Sequence, residues 1–322
     1  MGLKTVKNIL LVGGAGYVGG AVSSELYSKN YNLKVYDNLL YEDSYLKDID
    51  FIYGDIRDKK KLKKSLNWAD VVIWMAAIVG DGACDVNKEN TIDINQNTVK
   101  WLSKNYDGKI IFFSTCSVYG AQNGILDESC DVNPLSLYAQ TKLESEKYLS
   151  KKNSIIFRLG TLFGISDTYS RLRMDLVVNL LTIKAYFNKE LTIFGGDQYR
   201  PLLHVKDVAR AVVQSIKFNK TGIFNLKYDN YKISDLAHLV QKNFKENIKI
   251  KTTKMMFQDT RNYMVSSNLF DKSFNFKPKY DVNYGINEIL ELIKSNRIKN
   301  FDDIRYTNYL YIKKHGINSK TY

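Results

Sequence analysis

Two side chains in the segment Tyr138-Ala139-Gln140-Thr141-Lys142 have the types and the spacing for proton transfer. The segment lies in a helical stretch that continues through Glu146 to Leu149, and residues four apart share one helix face. A neighbouring ammonium stabilises a phenolate, so Tyr138 can accept a proton from an alcohol while Lys142 supports the resulting charge. Alone, such a pair is an ordinary solvated helix face. A third group comes from the apolar run Ile110 to Phe113, which ends in Ser114-Thr115-Cys116-Ser117-Val118-Tyr119-Gly120. The carboxyl end of a parallel strand is where an open α/β sheet binds ligands, and a hydroxyl there can orient a substrate.

The partner for the abstracted hydrogen is suggested near the amino terminus. Leu10-Leu11-Val12-Gly13-Gly14-Ala15-Gly16-Tyr17-Val18-Gly19 sets Gly13, Gly16 and Gly19 directly after an apolar strand and before a helix. A tight turn, close approach of a pyrophosphate to backbone N–H groups, and close helix-strand packing each exclude a Cβ, and the helix N-terminus favours the phosphate charge. The next apolar strand, Leu33 to Tyr36, leads into Asp37 and Asn38, with Asp37 18 positions after Gly19. A carboxylate in that register binds the adenosine 2′-hydroxyl and repels a 2′-phosphate, so the expected cofactor is NAD rather than NADP. An isolated Asp would cap a loop; its register with the glycines argues for the ribose.

These groups need a scaffold, and the hydrophobic pattern supplies one. Short apolar runs recur at Asn8 to Val12, Leu33 to Tyr36, Val71 to Met75, Ile110 to Phe113 and Ile155 to Leu159, separated by helix-like stretches. The alternation predicts a Rossmann-type doubly wound parallel sheet, class α/β, covered by helices on both faces. This NAD-binding domain is expected to span residues 1–165, with a smaller α/β substrate-binding domain mainly over 166–322. A return to the first domain is expected near 202–222, where Leu202 to Ile216 reads as a short strand and a helix. The residues from about Phe301 hold tyrosines and lysines without a clear period.

The chain has 322 residues, which suits two lobes rather than one small core. Its first apolar run meets glycines too soon for a signal-peptide core or a membrane span, so a cytoplasmic protein is expected, with no membrane partner. Cys84, Cys116 and Cys130 lack metal-ligand spacing, consistent with reduced thiols and no metal. The net charge of +13 raises nucleic acid as a partner, but the densest run, Asp58 to Lys64, carries Leu62 and Leu66 at helical spacing. That is a solvated helix face, and no nucleic-acid partner is expected.

At these residues the chain resembles the extended short-chain dehydrogenase/reductases, the family of UDP-galactose 4-epimerase and dTDP-glucose 4,6-dehydratase. The resemblance runs from Asn8 to about Leu292. It rests on Gly13/Gly16/Gly19, Gly54-Asp55-Ile56-Arg57, Ala76-Ala77, Ser114 to Gly120, Tyr138/Lys142 and Arg200-Pro-Leu-Leu-His204-Val-Lys-Asp207. It implies an NAD-dependent enzyme acting on a nucleoside-diphosphate sugar. Tyr17 and Val18 would join the glycines at the cofactor, Asp55 and Ile56 would flank the adenine, Ala76 and Ala77 would line the cofactor channel, and Thr115, Tyr138 and Lys142 would form the catalytic triad. Asn179, Arg200 and Arg261 resemble the family's contacts to the substrate diphosphate, a role that suits an amide and two guanidinium forks.

Departures from the family pattern narrow the reaction. The dehydratases place Asp-Glu after the catalytic threonine, whereas Cys116 and Ser117 stand here and supply no acid-base pair of ordinary pKa. Trp74-Met75-Ala76-Ala77 replaces His-x-Ala-Ala, and Thr161 replaces an Asn in Arg158-Leu-Gly-Thr161-Leu-Phe-Gly164, so substrate geometry should differ. The expected reaction is oxidation of the sugar C4 hydroxyl to a 4-keto species, as in a nucleotide-sugar 4-epimerase. Alternatives are a 4-dehydrogenase that releases the keto sugar, a role the family includes for GDP-heptose in surface-polysaccharide synthesis, and a non-catalytic NAD-binding scaffold. The helices around Asn95 to Ser103 and Tyr138 to Leu149 resemble the pair that forms an intersubunit four-helix bundle in the family, which implies a homodimer or higher homo-oligomer.

Overall fold

The computed structural model describes residues 8–253, 262–298 and 300–317. The expected strands are dominated by β-branched and aromatic residues: Val71–Trp74 is buried throughout, as are Ile110 to Phe113 and Ser154–Leu159, the last with Arg158 buried among its apolar residues. Such runs belong in a sheet covered on both faces. The five expected strands are joined by two that were not expected, Asp50–Tyr53 and Gly222–Leu226, in one sheet of spatial order Gly222–Leu226, Ser154–Leu159, Lys109–Thr115, Val71–Trp74, Asn8–Val12, Asn32–Asp37, Asp50–Tyr53, and every neighbouring pair is parallel. The strand order reverses between Asn8–Val12 and Val71–Trp74, and the crevice of a doubly wound sheet opens at such a reversal.

The helices are defined by their ends and buried faces. Ser136 caps the helix Leu137–Leu149 by accepting the Ala139 N–H at 3.3 Å, and Asp58 caps Lys59–Trp68 by accepting the Lys61 N–H at 3.0 Å. In the latter helix Leu62 and Leu66 are buried while Lys60, Lys61 and Lys64 face solvent, so the basic run is a helix surface.

The expected return over Leu202 to Ile216 reaches the first core through Leu203, Val205, Val208 and Val212, but its strand does not enter the large sheet. Tyr199–His204 pairs with Thr161–Phe163 and Asp229–Lys232 in a separate three-stranded sheet, while the following helix, Val205–Ile216, packs on Tyr17–Tyr27. The strand that rejoins the large sheet is Gly222–Leu226, beside Ser154–Leu159. Two later segments also reach the first lobe. Phe270, Phe274 and Phe276 enter the core around Phe157 and Phe224, and Ile312 and Ile317 enter the core around Leu10, Trp74 and Cys84. The second lobe has its own core, with Phe163, Val178, Leu191, Leu202, Leu236 and Ile286 among its members.

Cys84 and Cys116 are buried, and all three cysteines are free thiols. Among the described residues no helix is long and apolar enough to cross a membrane, and no group of three or more His, Cys, Asp or Glu is arranged to hold a metal ion.

Candidate active site

The sheet reversal opens into a cleft of about 850 Å³ between the lobes, lined by the glycine loop, Asp37, Ala76, Ala77, Thr115, Ser117, Tyr138, Lys142 and Arg200. Thr115 ends its strand and caps the turn Cys116–Tyr119, its Oγ1 accepting the Ser117 N–H at 3.1 Å. Tyr138 and Lys142 approach from the adjacent helix, and the Lys142 Nζ donates to the Phe113 carbonyl at 2.8 Å. Burial pushes the Lys142 ammonium down to about 8, although the charge of Glu146 acts the other way.

One turn further along that helix lies a buried ion pair. Glu146 accepts the Arg158 fork, with Nη2 to Oε2 at 2.7 Å and Nε to Oε1 at 3.1 Å, and it also accepts the Ser114 hydroxyl. Ser114 precedes Thr115, so the pair holds the end of the strand that carries Thr115 against the helix that carries Tyr138 and Lys142. Arg158 also donates to the Tyr119 hydroxyl at 3.0 Å, and Tyr119 donates onward to Asn225 Oδ1 at 2.9 Å.

The amino-terminal residues fit a dinucleotide. Gly13 has φ +81°, and a Cβ there would lie 2.6 Å from the Ala76 Cα, which only glycine avoids. A Cβ on Gly19 would lie 2.6 Å from the Gly14 Cα. Asp37 accepts the Ala15 N–H at 3.0 Å through Oδ2 and the Leu39 N–H at 2.8 Å through Oδ1, which fixes its carboxylate beside the glycine loop. Burial raises its pKa, and these backbone donors oppose the shift. Asn38, Asp55, Ile56 and Val18 line the same end of the cleft. Burial also acts to raise Asp55, but the Arg57 fork, donating at 2.7 and 3.0 Å, outweighs it and holds the carboxyl below its usual range. Tyr17 turns its hydroxyl to the Gly164 carbonyl at 2.8 Å, linking the first helix to the entry of the second lobe.

Of the residues expected at the substrate diphosphate, Arg200 lines the cleft, 6.0 Å over the Tyr263 ring, with Nη1 donating to the Tyr199 carbonyl at 2.7 Å. Asn179 does not reach the cleft. It is fully buried, its Oδ1 accepts the Gly164 N–H at 2.9 Å, and its Nδ2 donates to the carbonyls of Gly164 and Arg173 at 3.2 and 2.7 Å. Its amide closes a backbone turn and has no capacity directed at a phosphate. Arg261 lies outside the described residues. Cys116 is also turned away from the cleft, with its thiol on the Arg158 carbonyl at 3.2 Å and its pKa raised by burial.

The structure adds cleft residues that the sequence patterns did not single out: Tyr41, Tyr263, Arg171, Arg173, Asp175 and Asn308. A signal for two of them was present. Only nine of the 47 basic residues are arginine, and Arg171-Leu-Arg173 places two together.

A profile of the NAD-dependent epimerase/dehydratase family matches residues 9–226. The chain belongs to the NAD-dependent epimerase/dehydratase family. It is accordingly an enzyme that uses NAD, and the members it resembles work on nucleotide sugars. A putative UDP-glucose 4-epimerase of Methanocaldococcus jannaschii is 28% identical over 316 residues, covering 89% of this chain and 99% of that protein. An inverting UDP-N-acetylglucosamine 4,6-dehydratase of Campylobacter jejuni is 28% identical over 261 residues, covering 75% of this chain and 73% of that protein. A UDP-glucose 4-epimerase from Stenotrophomonas maltophila, solved with NAD and formylated UDP-arabinopyranose, shares the fold with a TM-score of 0.81 at 19% identity, covering 91% of this chain and all of that one. These epimerase/dehydratase relatives divide between the two reactions, so the assignment within the family rests on the residues around Thr115.

Proposed function

We propose that this enzyme oxidises the C4 hydroxyl of a nucleoside-diphosphate sugar to a 4-keto sugar and completes an epimerisation by returning the hydrogen to the other face. The observation that carries this reading is the environment of Thr115: Tyr138 and Lys142 line the cleft with it, while the next two positions hold a buried thiol and a hydroxyl instead of carboxylates. Removing water across C5 and C6 needs an acid and a base beside the hexose, and Cys116 and Ser117 supply neither.

In this reading Tyr138, as the phenolate, takes the proton of the C4 hydroxyl, and the Lys142 ammonium stabilises the phenolate charge. Thr115 accepts the Ser117 N–H, which leaves its own O–H free to donate to the sugar oxygen. NAD, when bound, supplies the hydride acceptor. Arg200, with Arg261, holds the diphosphate, so that binding energy remote from the reacting carbon orients it. A free sugar lacks that handle and should be a very poor substrate.

The test is incubation of the pure protein with GDP-, UDP- and dTDP-sugars, following NADH absorbance and identifying products by NMR. Epimerised product without net NADH supports the reading. Release of a 4-keto sugar with one equivalent of NADH would replace it with the 4-dehydrogenase alternative, and a 4-keto-6-deoxy product would restore dehydration.

A further inference from the structure

Backbone N–H groups of the glycine loop meet a pyrophosphate, but none of the groups discussed so far is a cation directed at its two negative charges. Arg171 occupies the right part of the fold. It ends a loop that lies along the helix Tyr17–Tyr27: the Ser170 side chain fills the space that a Cβ on Gly20 would need, and the Ser24 hydroxyl donates to Asp167 at 3.0 Å. The Arg171 backbone N–H is accepted by Glu42, on the segment that leaves Asp37. Its guanidinium lies 4.0 Å over the Tyr41 ring and donates through Nη2 to Asn308 Oδ1. Asn308 in turn donates to the Val79 carbonyl at 2.9 Å, two residues past Ala77. Arg171 is thus held among segments that follow the three strands around the sheet reversal, and it lines the cleft.

The carboxylates near it, Asp175 and Glu42, do not balance the charges of Arg171 and Arg173. Arg171 is 8% exposed, and its Nη1 is buried without a hydrogen-bond partner among the described residues. Neighbouring Arg173 is already held by both oxygens of Asp175, at 2.6 and 3.1 Å, and contributes a like charge. The Glu42 carboxyl is pushed up to about 7 by burial, so at neutral pH it carries only part of a compensating charge. Burial first, and then the charge of Arg173, push Arg171 down to about 10. A buried guanidinium in that state is costly unless an anion joins it.

We infer that Arg171 is the cationic ligand of the dinucleotide pyrophosphate, oriented by Asn308 from the carboxyl-terminal segment. The segment Thr307–Ile317 then has a role that local sequence patterns do not reveal. Thr307, Asn308, Tyr309 and Ile317 form a wall of the cleft, Ile312 and Ile317 anchor that wall in the first core, and Tyr311 packs on Tyr41 with ring centroids 5.3 Å apart. This inference depends on NAD binding and is independent of which sugar reaction follows.

The test is calorimetric titration of the full-length protein, freed of nucleotide, with NAD and with ADP-ribose, which share the pyrophosphate and differ in the nicotinamide. Arg171→Ala should weaken both by a similar factor, about 10- to 100-fold, as expected for loss of a charge-assisted contact. Arg171→Gln, which keeps a donor for Asn308 and removes the charge, should show the same paired loss and serves if the alanine variant does not fold. Asn308→Ala should weaken both ligands less, because the guanidinium remains but is no longer oriented. Wild-type affinity in a folded Arg171→Ala or Arg171→Gln variant overturns the inference. A loss confined to NAD also overturns it, because the guanidinium would then act at the nicotinamide end.

Discussion

The Lys142 ammonium donates to the Phe113 carbonyl at 2.8 Å, tying the helix that carries Tyr138 to the strand that ends in Thr115. One turn on, Glu146 repeats the tie through Ser114 and Arg158. Thr115, Tyr138 and Lys142 are therefore positioned by two buried polar contacts between elements that the hydrophobic core already presses together.

This arrangement sets a pH dependence. Because burial lowers Lys142 to about 8, the ammonium is present below that pH and is lost as pH rises through it. Turnover should decline above about pH 8, and Glu146→Gln should move the decline to lower pH, because the Glu146 carboxylate acts to raise Lys142. A kcat/KM profile for both proteins decides it; an unmoved limb counts against the coupling. The stability effect of Lys142 has the opposite sense. Between about 8 and the ordinary lysine pKa the unfolded chain holds a proton that the folded one has lost, so this group's contribution to stability rises with pH there. Glu146→Gln also leaves Arg158 charged and unpaired in the core, which should cost about 3–5 kcal/mol in urea unfolding.

Tyr138→Phe removes the proposed proton acceptor and keeps the ring. Turnover should fall by roughly 10²- to 10⁴-fold while NAD affinity stays near that of the wild type. Single-turnover absorbance at the NADH band, paired with an NAD titration, measures both. Near-normal hydride transfer would show that the triad is misassigned.

Asp37→Ala removes the carboxylate proposed to exclude a 2′-phosphate and also frees the Ala15 and Leu39 N–H groups. NAD binding should weaken by about tenfold or more, and discrimination against NADP should shrink. Titration of both cofactors with the wild type and the variant is the check, and tighter binding of NADP by the unmutated protein would reverse the assignment.

Arg200→Ala should raise KM for a nucleotide sugar by about 10- to 100-fold with a smaller effect on kcat, if the ground and transition states are held alike. Comparing the nucleotide sugar with its sugar 1-phosphate and free sugar locates the lost contact. An indifferent KM would mean that Arg200 serves contacts within the protein and not the substrate.

For association, the helices Thr98–Asn105 and Leu137–Leu149 pack together within the chain, and Trp101, Leu143 and Tyr148 stay half-buried beside exposed Lys100, Lys104 and Lys147. A homodimer through this face is the expectation. Light scattering at micromolar concentration should give twice the chain mass, and a monomer mass would remove the proposal.

The sequence by itself determined the features with short-range causes. Runs of β-branched and aromatic residues specify buried strands, the steric demands of the turn specify Gly13 and Gly19, and a spacing of four on a helix puts Tyr138 and Lys142 on one face. Tertiary structure decided what depends on segments far apart in the chain. Asn179 looked like a phosphate ligand by its position in a motif, yet its amide is used by Gly164 and Arg173, because the helix Val177–Asn188 packs its face inward. The short strand expected from Leu202 runs over Tyr199–His204 and lies in the smaller sheet, between Thr161–Phe163 and Asp229–Lys232. Asn308 meets Val79 across 229 positions of sequence, a contact that no local period encodes and that accompanies the burial of Ile312 and Ile317 against the first lobe.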